Sequence, residues 1–186
     1  MNVRNNTKLI TINALLLAIG VILHQITPVL GLPMQPDFAL TMLFIIIILN
    51  DNFKITMVSG TLMGIFTAMT TKFPGGQLPN VVDKIFTAFI VFFIYSFNKK
   101  KSNILGRLSV EKRNNILMAI VLPLGTLVSG ILFLGSAKII VGLPASFSIL
   151  FLTVVVPSVA LNTVIGLVLY RIVEKSLRRA SYSIRG

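Results

Sequence analysis

Six apolar runs, most of them long enough to cross a bilayer, leave this chain few folds to adopt. They fall at about residues 9–27, 38–50, 55–71, 81–97, 116–135 and 147–170. A helix needs about 20 mostly apolar residues to cross the hydrocarbon. The second run is short, so its helix either tilts little or begins inside the bundle. Only 12% of the 186 residues are charged, about half the share of a soluble domain. No stretch is polar enough to fold separately in water. The expected fold is therefore all-α: one integral membrane domain, residues 1–186, with six transmembrane helices. The start, MNVRNNTKLI, has the look of a signal peptide. The apolar run behind it lacks a small-residue cleavage site and passes into a Pro-rich loop, so it reads as a retained helix.

The charges orient the helices. With the N-terminus inside, fourteen of the 17 basic residues fall in inner segments, and only Lys72, Lys84 and Lys138 fall outside. That bias predicts both termini in the cytoplasm. It also accounts for the net charge of +12 without nucleic acid, because the basic residues flank apolar runs and no aromatic residues are interleaved to stack bases. The basic loop 98–115 divides four helices from two and is expected to meet anionic headgroups or a partner. The tail after residue 170 continues the sixth helix briefly. With no cysteine in the chain, disulfides, thiolate metal sites and cysteine nucleophiles are excluded.

Residues 70–84, TTKFPGGQLPNVVDK, carry the functional signal. They place two prolines, two glycines and paired charges between two apolar runs. Irregular backbone near membrane depth is tolerated where protein buries it or where it lines a cavity, and the expectation is a solute cavity. The outer polar groups are few: His24, Gln25, Asp37, Lys72, Gln77, Asn80, Asp83, Lys84 and Lys138. Asp37 and Asp83 are expected to begin the second and fourth helices. Two readings stand for them. In one they cap helix starts, with Asn80-x-x-Asp83 as a capping box. In the other they hold a zwitterion: a carboxylate takes an ammonium, while a helix start and Lys84 take a carboxylate. His24 reads more readily as a hydrogen-bonded bundle residue. Asn162 is expected to bridge helices, and Pro157 to kink the sixth. The Pro-rich loop 28–36 serves as an apolar lid or lies at the bilayer interface; loop 136–146 offers a second lid.

Small residues four apart let helices approach closely. Gly60/Gly64 and Gly125/Ser129 are read as internal packing; Ala14/Ala18 on the first helix repeat the device. No set of catalytic residues is expected. There is no P-loop, no placed Ser/His/Asp set, and one histidine with scattered acids makes no metal site. No cofactor is expected, and no inverted repeat is visible.

Pro36-Asp37, the stretch 70–84, GTLVSGILFLGSAKIIVGLP (125–144) and LNTVIGLVLY (161–170) together resemble the bacterial tryptophan transporter family of the TrpP type. The likeness covers about residues 8–179. Such proteins are regarded as the substrate-binding S components of energy-coupling factor (ECF) transporters. The resemblance implies a multi-pass protein of the bacterial plasma membrane that takes L-tryptophan from outside. It would then join a coupling transmembrane subunit and two ATPase subunits, topple, and release the solute inside. Under that reading Ala14 and Ala18 dock on the coupling subunit. The candidate substrate residues are Asp37, Gln77, Asn80, Asp83, Lys84 and His24. The competing readings are an S component for a vitamin or another amino acid, a structural membrane protein, and an intramembrane enzyme.

Overall fold

A computed structural model describes residues 3–28, 35–104 and 109–179. Six helices and no strands make up the described residues: α1 (Val3–Ile26), α2 (Ala39–Asn50), α3 (Phe53–Met69), α4 (Gln77–Ile104), α5 (Val110–Ile140) and α6 (Phe147–Arg179). The lid expected of loop 28–36 lies mostly outside the described residues, as do Arg107 and the tail with Arg185.

The bundle is built around α2. Its sequence, ALTMLFIIIILN, is apolar on every face, which suits a helix surrounded by others. All of residues 39–49 are buried, and α2 packs against each of the other five helices. With 12 residues it is only about 18 Å long, well short of the roughly 30 Å hydrocarbon core. The chain must therefore travel inward before α2 can begin. Pro36 is buried, and Asp37 is carried into the bundle with it. The longer helices α1, α4, α5 and α6 have the length and hydropathy to cross a membrane.

At its far end α2 closes on Asp51, whose φ of 46° puts it in the left-handed region. That conformation suits Asp at a helix C-terminus better than most side chains. Asn52 then caps α3 by accepting the Ile55 N–H at 3.1 Å, so two residues make the turn. Lys99 on α4 pairs with Asp51 at 2.5 Å, and Arg178 on α6 pairs with Glu111 on α5 at 2.9 Å. Asn13 and Asn50 exchange amide hydrogen bonds of 3.0 and 2.9 Å between α1 and α2.

Gly60 and Gly64 do pack internally. A Cβ on Gly64 would meet the Val81 Cα at 3.1 Å, and one on Gly60 the Lys84 carbonyl at 3.2 Å. Their absence lets the backbone of α4 lie against α3 at the level of Lys84.

Several boundaries differ from expectation. α4 begins at Gln77 rather than 81, because Pro79 falls in the first turn, where its missing N–H has no helical partner to lose. Asp83 is consequently the seventh residue of α4 and not its start, and the capping-box reading fails. α5 begins at Val110 behind Ser109, which accepts the Lys112 N–H, and α5 and α6 both outrun their apolar runs. α6 reaches Arg179 through Pro157. Just before that proline the helix passes through a π turn at Phe151–Val155, where the Val156 N–H bonds the Phe151 carbonyl five residues back. The wider turn regroups the backbone bonds beside the position where proline removes one.

Candidate functional site

The end of the bundle opposite the Lys99–Asp51 pair opens into a cavity. The space between its walls is about 590 Å3, part of it open to solvent. Its walls come from α1 (His24), the segment before α2 (Gln35, Asp37), the α3–α4 loop, α4, α5 and α6.

The loop shapes the mouth. Phe73-Pro74-Gly75-Gly76 is a tight turn with the Gly76 N–H on the Phe73 carbonyl at 2.9 Å. Gly75 has φ +72°, as the third position of a type II turn demands, with proline ahead of it. The turn drives Phe73 inward, where it meets Phe133 of α5 edge-on at 5.4 Å. With Val154 and Val155 of α6 these rings form the apolar wall.

The polar wall is organised on Lys84. Its ammonium pairs with Asp37 Oδ2 at 2.6 Å and also with Asp83 Oδ2. Lys84 and Asp83 each have side chains 1% exposed, Asp37 17%. Asp83 is fully engaged: Ser129 of α5 donates to Oδ2 at 2.9 Å and Thr87 to Oδ1 at 2.8 Å. Asp37 accepts the Ala39 N–H at 3.0 Å through Oδ1 and keeps an edge toward the cavity. Two carboxylates against one ammonium leave one negative charge in excess. A buried charge needs partners, so the formal charge of −1 favours a further cation at Asp37, the carboxylate that keeps an edge toward the cavity. Both anionic partners of the Lys84 ammonium thus belong to the protein, and Lys84 also lines the cavity. The cation that faces the opening is Lys72, exposed and steadied by the Thr27 carbonyl at 2.5 Å.

His24 is buried and shares a 2.8 Å hydrogen bond with the Thr70 hydroxyl. Because that hydroxyl donates to the Phe66 carbonyl at 3.0 Å, Nδ1 of His24 is the donor. Asn80 donates to the Gly76 carbonyl at 2.8 Å and lines the wall. Gln77 is exposed on the first turn of α4, outside the cavity wall; Gln25 and Lys138 are also exposed and outside it. Asn162 ties α6 to the segment before α2 by donating to the Asp37 carbonyl at 3.1 Å, reaches the Thr126 hydroxyl of α5 at 3.5 Å, and lines the cavity as well.

Sequence reasoning passed over Ser129, Thr126 and Ser158. Ser129 was read as packing, yet it reaches Asp83. A signal was present: Thr126, Ser129 and Phe133 on α5, and Val155, Ser158 and Asn162 on α6, recur three or four apart and so share a helix face.

Comparison with known proteins adds an independent line. Residues 6–178 match the family described as Tryptophan transporter TrpP. A probable tryptophan transport protein of Clostridium perfringens is 94% identical over 97% of this chain and 99% of its own length. Proteins of the same description from Clostridium acetobutylicum and Bacillus subtilis are 48% and 40% identical, over 94% and 95% of this chain and 96% of each relative. No solved structure matches the chain. With nearly the whole chain aligned and a helical bundle holding a charged cavity at one end, the chain belongs to the TrpP tryptophan transporter family.

Proposed function

We propose that this chain is the substrate-binding membrane subunit for uptake of L-tryptophan and acts as the S component of an energy-coupling factor transporter. The chain crosses the plasma membrane six times, the short α2 together with the segment that leads into it, both termini lie in the cytoplasm, and residues 1–186 make one membrane domain with the cavity facing outward. The observation that carries the ligand reading is the cluster's excess negative charge beside a separate lysine. The ligand ammonium sits against Asp37, completing the charge of the cluster with Lys84 and Asp83, and the ligand carboxylate meets Lys72. Asn80 and His24 shape the polar wall, Gln77 the approach to it, and the indole lies along Phe73, Phe133 and the α6 valines. The names of the relatives support tryptophan as the amino acid.

Partner docking is assigned to the outer face of α1. Ala14 and Ala18 are both exposed, flanked by Leu15 and Ile22 at 60% and 57% exposure. A stripe of small residues between larger ones accepts a helix of the coupling subunit, and the two ATPase subunits supply the energy.

Binding of L-tryptophan, tryptamine and indole-3-propionate to the purified protein tests the ligand reading. Removal of either charge from the ligand should weaken binding by about tenfold or more, as loss of a charge-assisted hydrogen bond does. Equal affinity for all three would overturn it. Failure of the chain to co-purify with a coupling subunit and ATPases expressed beside it would overturn the S-component assignment alone.

A further inference from the structure

The apolar wall explains why a large side chain is accepted but does not explain why indole is chosen over phenyl. We infer that Asn162 is the residue that reads the indole N–H, through its side-chain carbonyl; the inference rests on the tryptophan-binding reading above.

Asn162 is 1% exposed and lines the cavity. Its orientation is fixed by chemistry. The group 3.1 Å away is the main-chain carbonyl of Asp37, which can only accept, so the NH2 end must face it. The same NH2 lies 3.5 Å from the Thr126 hydroxyl. The carbonyl end, Oδ1, is then left buried with no donor among the described residues. A buried acceptor without a donor is costly, and a site of this kind favours a ligand that brings one.

Tryptophan brings two kinds of donor. Its ammonium is drawn to the excess charge at Asp37. Its indole N–H is the only polar group of the side chain. Asn162 follows Val155 and Ser158 on one face of α6, so the orphaned acceptor continues the stripe that begins in the apolar wall. A ring seated along that wall would turn its edge toward the same face of α6. Gln35 also has an orphaned Oε1, but it is not on the helix face that carries the apolar wall: it lies in the segment before α2, with its amide held on the His24 carbonyl of α1 at 2.6 Å. Sites built to bond a ligand donor discriminate strongly against analogues that lack it, because the protein's acceptor is then left unpaired.

The test uses L-3-benzothienylalanine, in which sulfur replaces the indole N–H and the shape is nearly kept. The parent protein should bind it about 10- to 100-fold more weakly than L-tryptophan. In Asn162→Leu, L-tryptophan affinity should fall about 10-fold or more further than affinity for the analogue, closing most of the gap between the two ligands. Parent affinities within about threefold of each other would overturn the inference, whatever the variant does. So would an equal loss of both ligands in the variant, which would assign Asn162 to support of Asp37. No binding of L-tryptophan to the parent would instead overturn the underlying ligand reading.

Discussion

Replacing Lys84 with methionine isolates the charge cluster from everything else in the site. Methionine keeps the length and apolar contacts of the lysine stem, so packing against Gly64 changes little. What disappears is the ammonium between Asp37 and Asp83, and two carboxylates then face each other without a cation. Loss of one member of a buried ion pair costs about 3–5 kcal/mol, mostly from the charge left behind. The upper end applies here, because Lys84 and Asp83 are each 1% exposed and two anions lose one cation. At about 2–4 °C per kcal/mol for a chain of this length, the midpoint of thermal unfolding in detergent should drop by roughly 10 °C or more. The triple variant Asp37→Asn, Asp83→Asn, Lys84→Met removes all three charges and should recover most of that loss. Thermal unfolding followed by circular dichroism measures both. A Lys84→Met protein as stable as the parent, or a triple variant no better than the single, would refute the reasoning that unpaired charge dominates this cluster.

Other consequences follow from the same geometry. Asp83→Asn keeps partners for Ser129 and Thr87 but cancels the excess charge, so L-tryptophan affinity measured by calorimetry should fall about tenfold or more in a protein that remains folded. Unchanged affinity would reduce Asp83 to a purely structural role. Gly75→Val places a β-branched side chain at φ +72° and crowds Val141, which should cost about 1–3 kcal/mol and displace Phe73. Thermal unfolding together with ligand titration would show both losses, and a neutral result would mean that the turn does not set the mouth. Ala14→Leu with Ala18→Leu should abolish co-purification with the coupling subunit and leave ligand affinity intact; retained association would remove the docking role from α1.

The helices were legible where apolar length alone decides, and less so where depth matters. α2 reads as a short run in the sequence, and its shortness is the cause of Asp37 lying inside. The start of α4 was misplaced because Pro79 looks like a breaker until it is counted as part of a first turn. Asp37, Asp83 and Lys84 were recognisable as costly charges in an apolar chain. Their pairing was not, since Asp37 and Lys84 are 47 positions apart and meet only through the contacts of α2 with α4. Ser129 and Thr126 were missed because hydroxyls are common in membrane helices. Only the bundle shows which face turns inward. The Asn162 bridge was foreseen from the cost of a lone buried amide; its partner, a carbonyl 125 positions away, was not.

The most direct measurement is a fluorescence titration of L-tryptophan into the purified protein. The chain contains no tryptophan, so indole emission comes from the ligand alone. Binding should be saturable and stereoselective, with a blue-shifted emission as the ring moves from water to the wall of Phe73 and Phe133. A folded, monodisperse sample that leaves the emission at its value in water, and binds neither enantiomer by calorimetry, would contradict the tryptophan assignment.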